Sequence, residues 1–186
     1  MRSNRRKILG IYFIQIILFI YLAGSLFADG NRLTKEEFYS ICHNLILNND
    51  CKFLYSISMA ESNLDVKAVS NKKAYGLMQI TEIGLKEASS YCPLINKNVE
   101  EAKQLLKKSP LISIQIADCL LSSNMVMLYN SDIQVTFEKL AATYNCGIGC
   151  VVNVKQKKRR YPKETRDYIE KVMKYYYIEQ MQRRGK

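Results

Sequence analysis

From residue 34 onward, apolar residues recur at three- and four-residue spacing in one segment after another, and no strand–helix–strand alternation or internal repeat interrupts them. That spacing places side chains on one face of an α-helix. The chain is therefore expected to be all-α. Thr34-Lys35-Glu36-Glu37 reads as a capping box, with Thr34 as N-cap and Glu37 reaching back to it. Phe38, Ile41, Cys42, Leu45 and Ile46 then continue at helical spacing. A second helix is expected over 52–62. Residues 63–80 lack helical periodicity and contain Gly76 among polar turn formers, which predicts a loop or small β-hairpin. Helical patterns resume over 81–89, 99–107, 110–129 and 133–144, with Pro110 suited to a first turn. Gly147 and Gly149 break the pattern, and a last helix is expected over 164–180.

The N-terminus has a different character. Arg2, Arg5, Arg6 and Lys7 precede an apolar run over 8–22, and the small residues Ala23, Gly24 and Ser25 follow. This is the layout of a secretory signal peptide, with cleavage after Ser25 placing Ala23 at the −3 position. Residues 8–28 together are also about long enough to span a bilayer as an uncleaved anchor. Residues 1–28 are accordingly assigned to a signal peptide or N-terminal anchor and 29–186 to one exported domain, a length sufficient for one hydrophobic core. The six cysteines, Cys42, Cys51, Cys92, Cys119, Cys146 and Cys150, suit an oxidising compartment and point to disulfides. No Cys-x-x-Cys occurs and His43 is the lone histidine, so no metal is expected. The formal charge is +11; removing residues 1–28, which carry four bases and no acid, leaves +7. Such an excess favours a polyanionic partner. Export argues against nucleic acid and for anionic lipid or a bacterial wall with its peptide carboxylates. The basic stretch Lys155, Lys157, Lys158, Arg159 and Arg160 is either a solvated loop or a contact for anionic wall components.

Glu61 stands out on physical grounds. It ends the otherwise apolar segment 53–60, and a carboxyl at the edge of a core is partly desolvated. Desolvation disfavours its charged form and raises its pKa, the condition a general acid needs near neutral pH. A glutamate at a helix end is otherwise an ordinary solvated residue.

The surrounding motifs single it out further. Glu61-Ser62 is followed by Ser70 nine residues later and then by Gly76-Leu77-Met78-Gln79; Ala142-Thr143-Tyr144-Asn145-Cys146-Gly147 comes next, and Glu164-Thr165-Arg166-Asp167-Tyr168-Ile169 last. In that order they resemble the three motifs of the soluble-type lytic transglycosylases over roughly 51–177. Cys146 stands where the family has a small alanine, and Tyr75 where a small residue is common.

The resemblance implies a lysozyme-like helical domain that cuts peptidoglycan in the periplasm of a Gram-negative bacterium, without cofactor or metal. Glu61 would protonate the glycosidic oxygen between N-acetylmuramic acid and N-acetylglucosamine. It would then act as base while the muramoyl C6 hydroxyl closes onto C1, giving a 1,6-anhydro product. Ser70, Gln79, Tyr144, Asn145, Tyr168 and Met78 are the expected substrate-binding residues. Ser70 is equally a turn former, Asn145 a loop-fixing residue and Met78 a core residue. Asp65 is the nearest second carboxylate, although it reads better as a turn residue. Small members of the family serve secretion or conjugation machines, which implies such a cell-envelope complex as a further partner. Two rivals are a goose-type-lysozyme-like hydrolase on the same fold and a catalytically idle wall-binding subunit.

Overall fold

The computed structural model describes residues 31–45, 47–89, 92 and 99–184. Residues 1–28, where a signal peptide or anchor is expected, and Ile46 lie outside the described residues. In the described residues eight helices and one minimal hairpin follow in the order α1 (Lys35–His43), α2 (Cys51–Glu61), β1 (Ala74–Tyr75), β2 (Ile80–Thr81), α3 (Glu82–Ser89), α4 (Val99–Leu106), α5 (Pro110–Asn130), α6 (Phe137–Cys146), α7 (Ile148–Lys155) and α8 (Lys163–Arg184). The fold is all-α as expected, and the 63–80 segment supplies the hairpin.

Helix starts follow local chemistry. Thr34 and Glu37 close the capping box in both directions, at 3.1 and 2.7 Å. Asp50 caps α2 through the Lys52 N–H, and Ser109 caps α5 just ahead of Pro110. The sixth helix starts at Phe137 and not near 133, because the Thr136 hydroxyl caps the Lys139 N–H. Helix α7 was not expected. Gly147, at φ 77°, breaks the backbone, and the apolar segment beyond it winds up again with Cys150 and Val151 buried.

Helix α2 packs most extensively on α8, which also covers α6. Phe53 of α2, Phe137 of α6 and Tyr176 of α8 meet there, with ring centroids 4.6–6.1 Å apart. Helix α5 is long and apolar enough to cross a membrane, but it also carries the buried polar residues Ser113, Asp118, Ser123 and Asn124. Asp118 accepts hydrogen bonds from the backbone N–H groups and side-chain amides of Asn48 and Asn49, fixing the turn that launches α2. The disulfides pair Cys42 with Cys51, Cys92 with Cys119 and Cys146 with Cys150. The first ties α1 to α2, and the third spans the α6–α7 break.

Candidate active site

Glu61 is the last residue of α2, half-buried where α2 meets α8. Burial pushes its carboxyl from 4.5 up to about 7, against the opposing pull of the Tyr168 hydroxyl and the Lys171 ammonium. The Tyr168 oxygen is itself buried and faces that carboxyl, short of full hydrogen-bond geometry. Lys171 donates a 2.6 Å hydrogen bond to the Ala60 carbonyl, one of the orphan carbonyls at the C-terminus of α2. It clamps α2 to α8 and brings a positive charge beside the acid. Tyr144 completes the group from the last turn of α6: burial and the Glu61 charge raise its pKa well above the usual phenol range. The same two influences act on Tyr168. Both phenols therefore remain protonated donors at any physiological pH.

The Gly76-Leu77-Met78-Gln79 turn is held against these elements at every residue. Gly76 is at φ 71°, and a β-carbon there would meet the Leu106 carbonyl oxygen at 2.1 Å. No other residue fits. The Leu77 carbonyl accepts from Ser62 at 2.7 Å, which locks the turn to the end of α2. The Met78 carbonyl accepts from the Tyr144 hydroxyl at 2.8 Å, and its N–H donates to Ser113 at 3.2 Å. Gln79 sits at φ 48°, and its amide nitrogen donates to the Ala68 and Gly76 carbonyls. A non-glycine residue with positive φ, pinned on several sides, marks a turn whose shape is strongly determined.

Several expected roles are refined by this geometry. Met78 is fully buried, so it does not line a groove; it serves through its backbone, as a tether for Tyr144. The Ser70 hydroxyl accepts the Ala74 N–H at 3.0 Å and closes the turn that leads into β1, with no bond to Glu61. The Gln79 donors are occupied within the loop, which leaves its carbonyl oxygen as the group open to a ligand. Asn145 is half-buried beside Tyr144, and its side chain makes no hydrogen bond to the following loop. Asp65 accepts the Lys67 N–H at 2.8 Å as a turn residue and exerts no pull on Glu61. Ser62 and Lys171 were not singled out in the sequence. Ser62 adjoins Glu61 within the motif and could have been found there, whereas Lys171 is one lysine among many on a long helix.

What remains is one carboxyl, poised near neutrality and flanked by two phenols and an ammonium. Such a group can give a proton and take it back. No cluster of His, Cys, Asp or Glu suited to a metal ion occurs among the described residues.

The fold resembles that of the lytic transglycosylase Slt of Pseudomonas aeruginosa, whose X-ray structure is of an inactive Glu-to-Gln mutant. The two share 24% sequence identity at a TM-score of 0.55, over 69% of this chain and 21% of that one. The present chain thus corresponds to about a fifth of that larger protein. No curated protein matches the chain by sequence. The family model described as the Transglycosylase SLT domain matches residues 39–167, and the chain belongs to that family, with its lysozyme-like fold.

Proposed function

We propose that this protein is a peptidoglycan lytic transglycosylase in which Glu61 is the single acid/base. In the first stroke the Glu61 carboxyl donates its proton to the oxygen linking N-acetylmuramic acid to N-acetylglucosamine. The C1–O bond breaks and the N-acetylglucosamine end leaves as an alcohol. In the second stroke the Glu61 carboxylate takes the proton of the muramoyl C6 hydroxyl as that oxygen bonds to C1, and the acid is restored. No water is consumed. The observation that carries this reading is the lone carboxyl held at about 7, with Asp65 turned to a structural task. Glycosidases that use two carboxyls place them at set separations across the bond, and Asp65, the nearest second carboxylate in sequence, is bonded to the Lys67 N–H. Tyr168 and Lys171 moderate the carboxylate between the strokes, and Tyr144, Gln79 and Asn145 border the place where sugar would lie.

The same reading sets the place of work in the periplasm. Three disulfides favour an oxidising compartment. The test is a cell-wall zymogram followed by mass spectrometry of the released fragments. The parent protein is expected to clear the gel and release 1,6-anhydromuramoyl ends, and Glu61→Gln to lose at least about a thousandfold in rate. Reducing ends in place of anhydro ends would make the protein a hydrolase on the same fold. Undiminished clearing by Glu61→Gln would remove Glu61 from the chemistry.

A further inference from the structure

A concavity of about 530 Å³, lined by none of the residues that act on Glu61, lies where the end of α7 meets the start of α8. Val154 and the half-buried Tyr161 form its apolar lining, and Lys157, Arg159, Arg160 and Arg166 surround it. No carboxylate of the described residues lies within salt-bridge range of these four cations. The acids nearest in sequence are engaged elsewhere, Glu164 with Lys72 and Asp167 with Lys163. The Arg166 guanidinium donates to the Tyr161 carbonyl at 2.8 Å, which fixes one side of the basin. The adjoining, smaller concavity differs: its Lys155 is paired with Asp132.

The backbone under the basin is also unusual. Helix α7 ends in a Schellman motif, with the Lys157 N–H on the Val154 carbonyl and the Lys158 N–H on the Asn153 carbonyl, each at 3.0 Å. The left-handed position of that motif ordinarily belongs to glycine. Here it is Lys157, at φ 58°. That turn leaves the Lys157 side chain exposed at the rim of the basin.

We propose that this basin is a second, non-catalytic binding site, which takes the carboxylates of peptidoglycan stem peptides. The proposal rests on the wall-cleaving reading above for the identity of the polymer. The wall is the polyanion that the proposed activity already brings to this protein, and exposed cations without carboxylate partners, set around a shallow concavity, suit the carboxylates of its peptides. Stem peptides hang from the glycan at every muramic acid. Occupancy of the basin would keep the enzyme on the sacculus between cuts, since two linked contacts hold far better than one.

Binding is to be measured in the Glu61→Gln background, by co-sedimentation with purified sacculi, so that cleavage does not enter. The variant adds Lys157→Gly, Arg159→Gln and Arg160→Gln, all at exposed positions; the glycine fits φ 58° and protects the fold. Three lost ion pairs are expected to weaken retention about tenfold. Sacculi whose carboxylates are capped with ethanolamine should hold both proteins equally weakly. Equal retention of the two proteins on native sacculi overturns the proposal. So does tighter binding to vesicles of phosphatidylglycerol and phosphatidylcholine, or to duplex DNA, than to sacculi. A parent protein that releases no anhydro ends, while retention still falls with the three substitutions, removes the catalytic reading and keeps this one.

Discussion

If burial holds the Glu61 carboxyl at about 7, the folded protein is handicapped wherever that group must ionise. Glu61→Gln keeps the shape and deletes the ionisation. An unfolded Glu61 titrates near 4.5 and the folded one near 7. Between those values the unfolded chain has shed a proton that the folded chain retains. Stability therefore declines as pH rises, and the decline is complete once the pH passes the folded pKa. Below 4.5 both states are protonated and the group contributes no penalty. The full separation corresponds to roughly 3 kcal/mol. Because Glu61 keeps partial solvent access, about 2 to 3 kcal/mol is the expected outcome. Urea unfolding of the parent and Glu61→Gln at pH 4 and pH 8 provides the assay. All other titrating groups are common to both proteins and cancel in the difference. The substituted protein should gain on the parent by about 2 to 3 kcal/mol between the two pH values. Curves that stay parallel within about 0.5 kcal/mol would refute the claim that Glu61 is desolvated, and the acid/base assignment with it.

Tyr168→Phe removes the phenol that favours the charged form of Glu61. Activity needs the protonated acid, so the alkaline limb of the pH–rate profile should move upward by about 0.5 to 1 pH unit; an unmoved limb would show that Tyr168 does not act on Glu61. Because that hydroxyl lacks full hydrogen-bond geometry, its removal should cost less than about 1 kcal/mol of stability by urea unfolding. Gly76→Ala sets a β-carbon 2.1 Å from the Leu106 carbonyl at a positive φ. A loss of about 3 kcal/mol or more in thermal or urea unfolding is expected, and a loss below about 1 kcal/mol would show that the turn is loosely held.

Features set by neighbouring residues were legible in the sequence. The capping box at Thr34, the Ser109-Pro110 start of α5 and the irregular 63–80 segment all follow from chemistry within a few positions. Glu61 was legible chiefly through the motifs that accompany it, since a glutamate at the end of an apolar run is on its own an ordinary helix-end residue. Features made by distant segments were not. A helix beyond Gly147 forms because Cys150 and Val151 find a core to enter, which local propensity does not register. The disulfides are one of fifteen pairings; Cys92–Cys119 joins residues 27 apart through tertiary packing, whereas Cys42–Cys51 and Cys146–Cys150 lie 9 and 4 apart. Met78 shares a motif with Gln79, and only tertiary packing decides that its side chain turns inward. Lys171 reaches Ala60 across 111 residues of chain.

The groups that act on Glu61 have unequal standing in the fold. The Met78 tether of Tyr144 and the Ser62 bond to Leu77 brace the backbone of the motif turn, and Lys171 braces the end of α2. Tyr168 ties no backbone; the group its buried hydroxyl faces is the Glu61 carboxyl itself. A phenol that faces an ionisable carboxyl donates its stronger hydrogen bond when that carboxyl is charged. Lys171 favours the charged form as well, whereas burial favours the neutral one and outweighs both. The surroundings of Glu61 thus oppose one another over its charge, and on the acid/base proposal it is this opposition that sets the proton to be given and taken back near neutral pH.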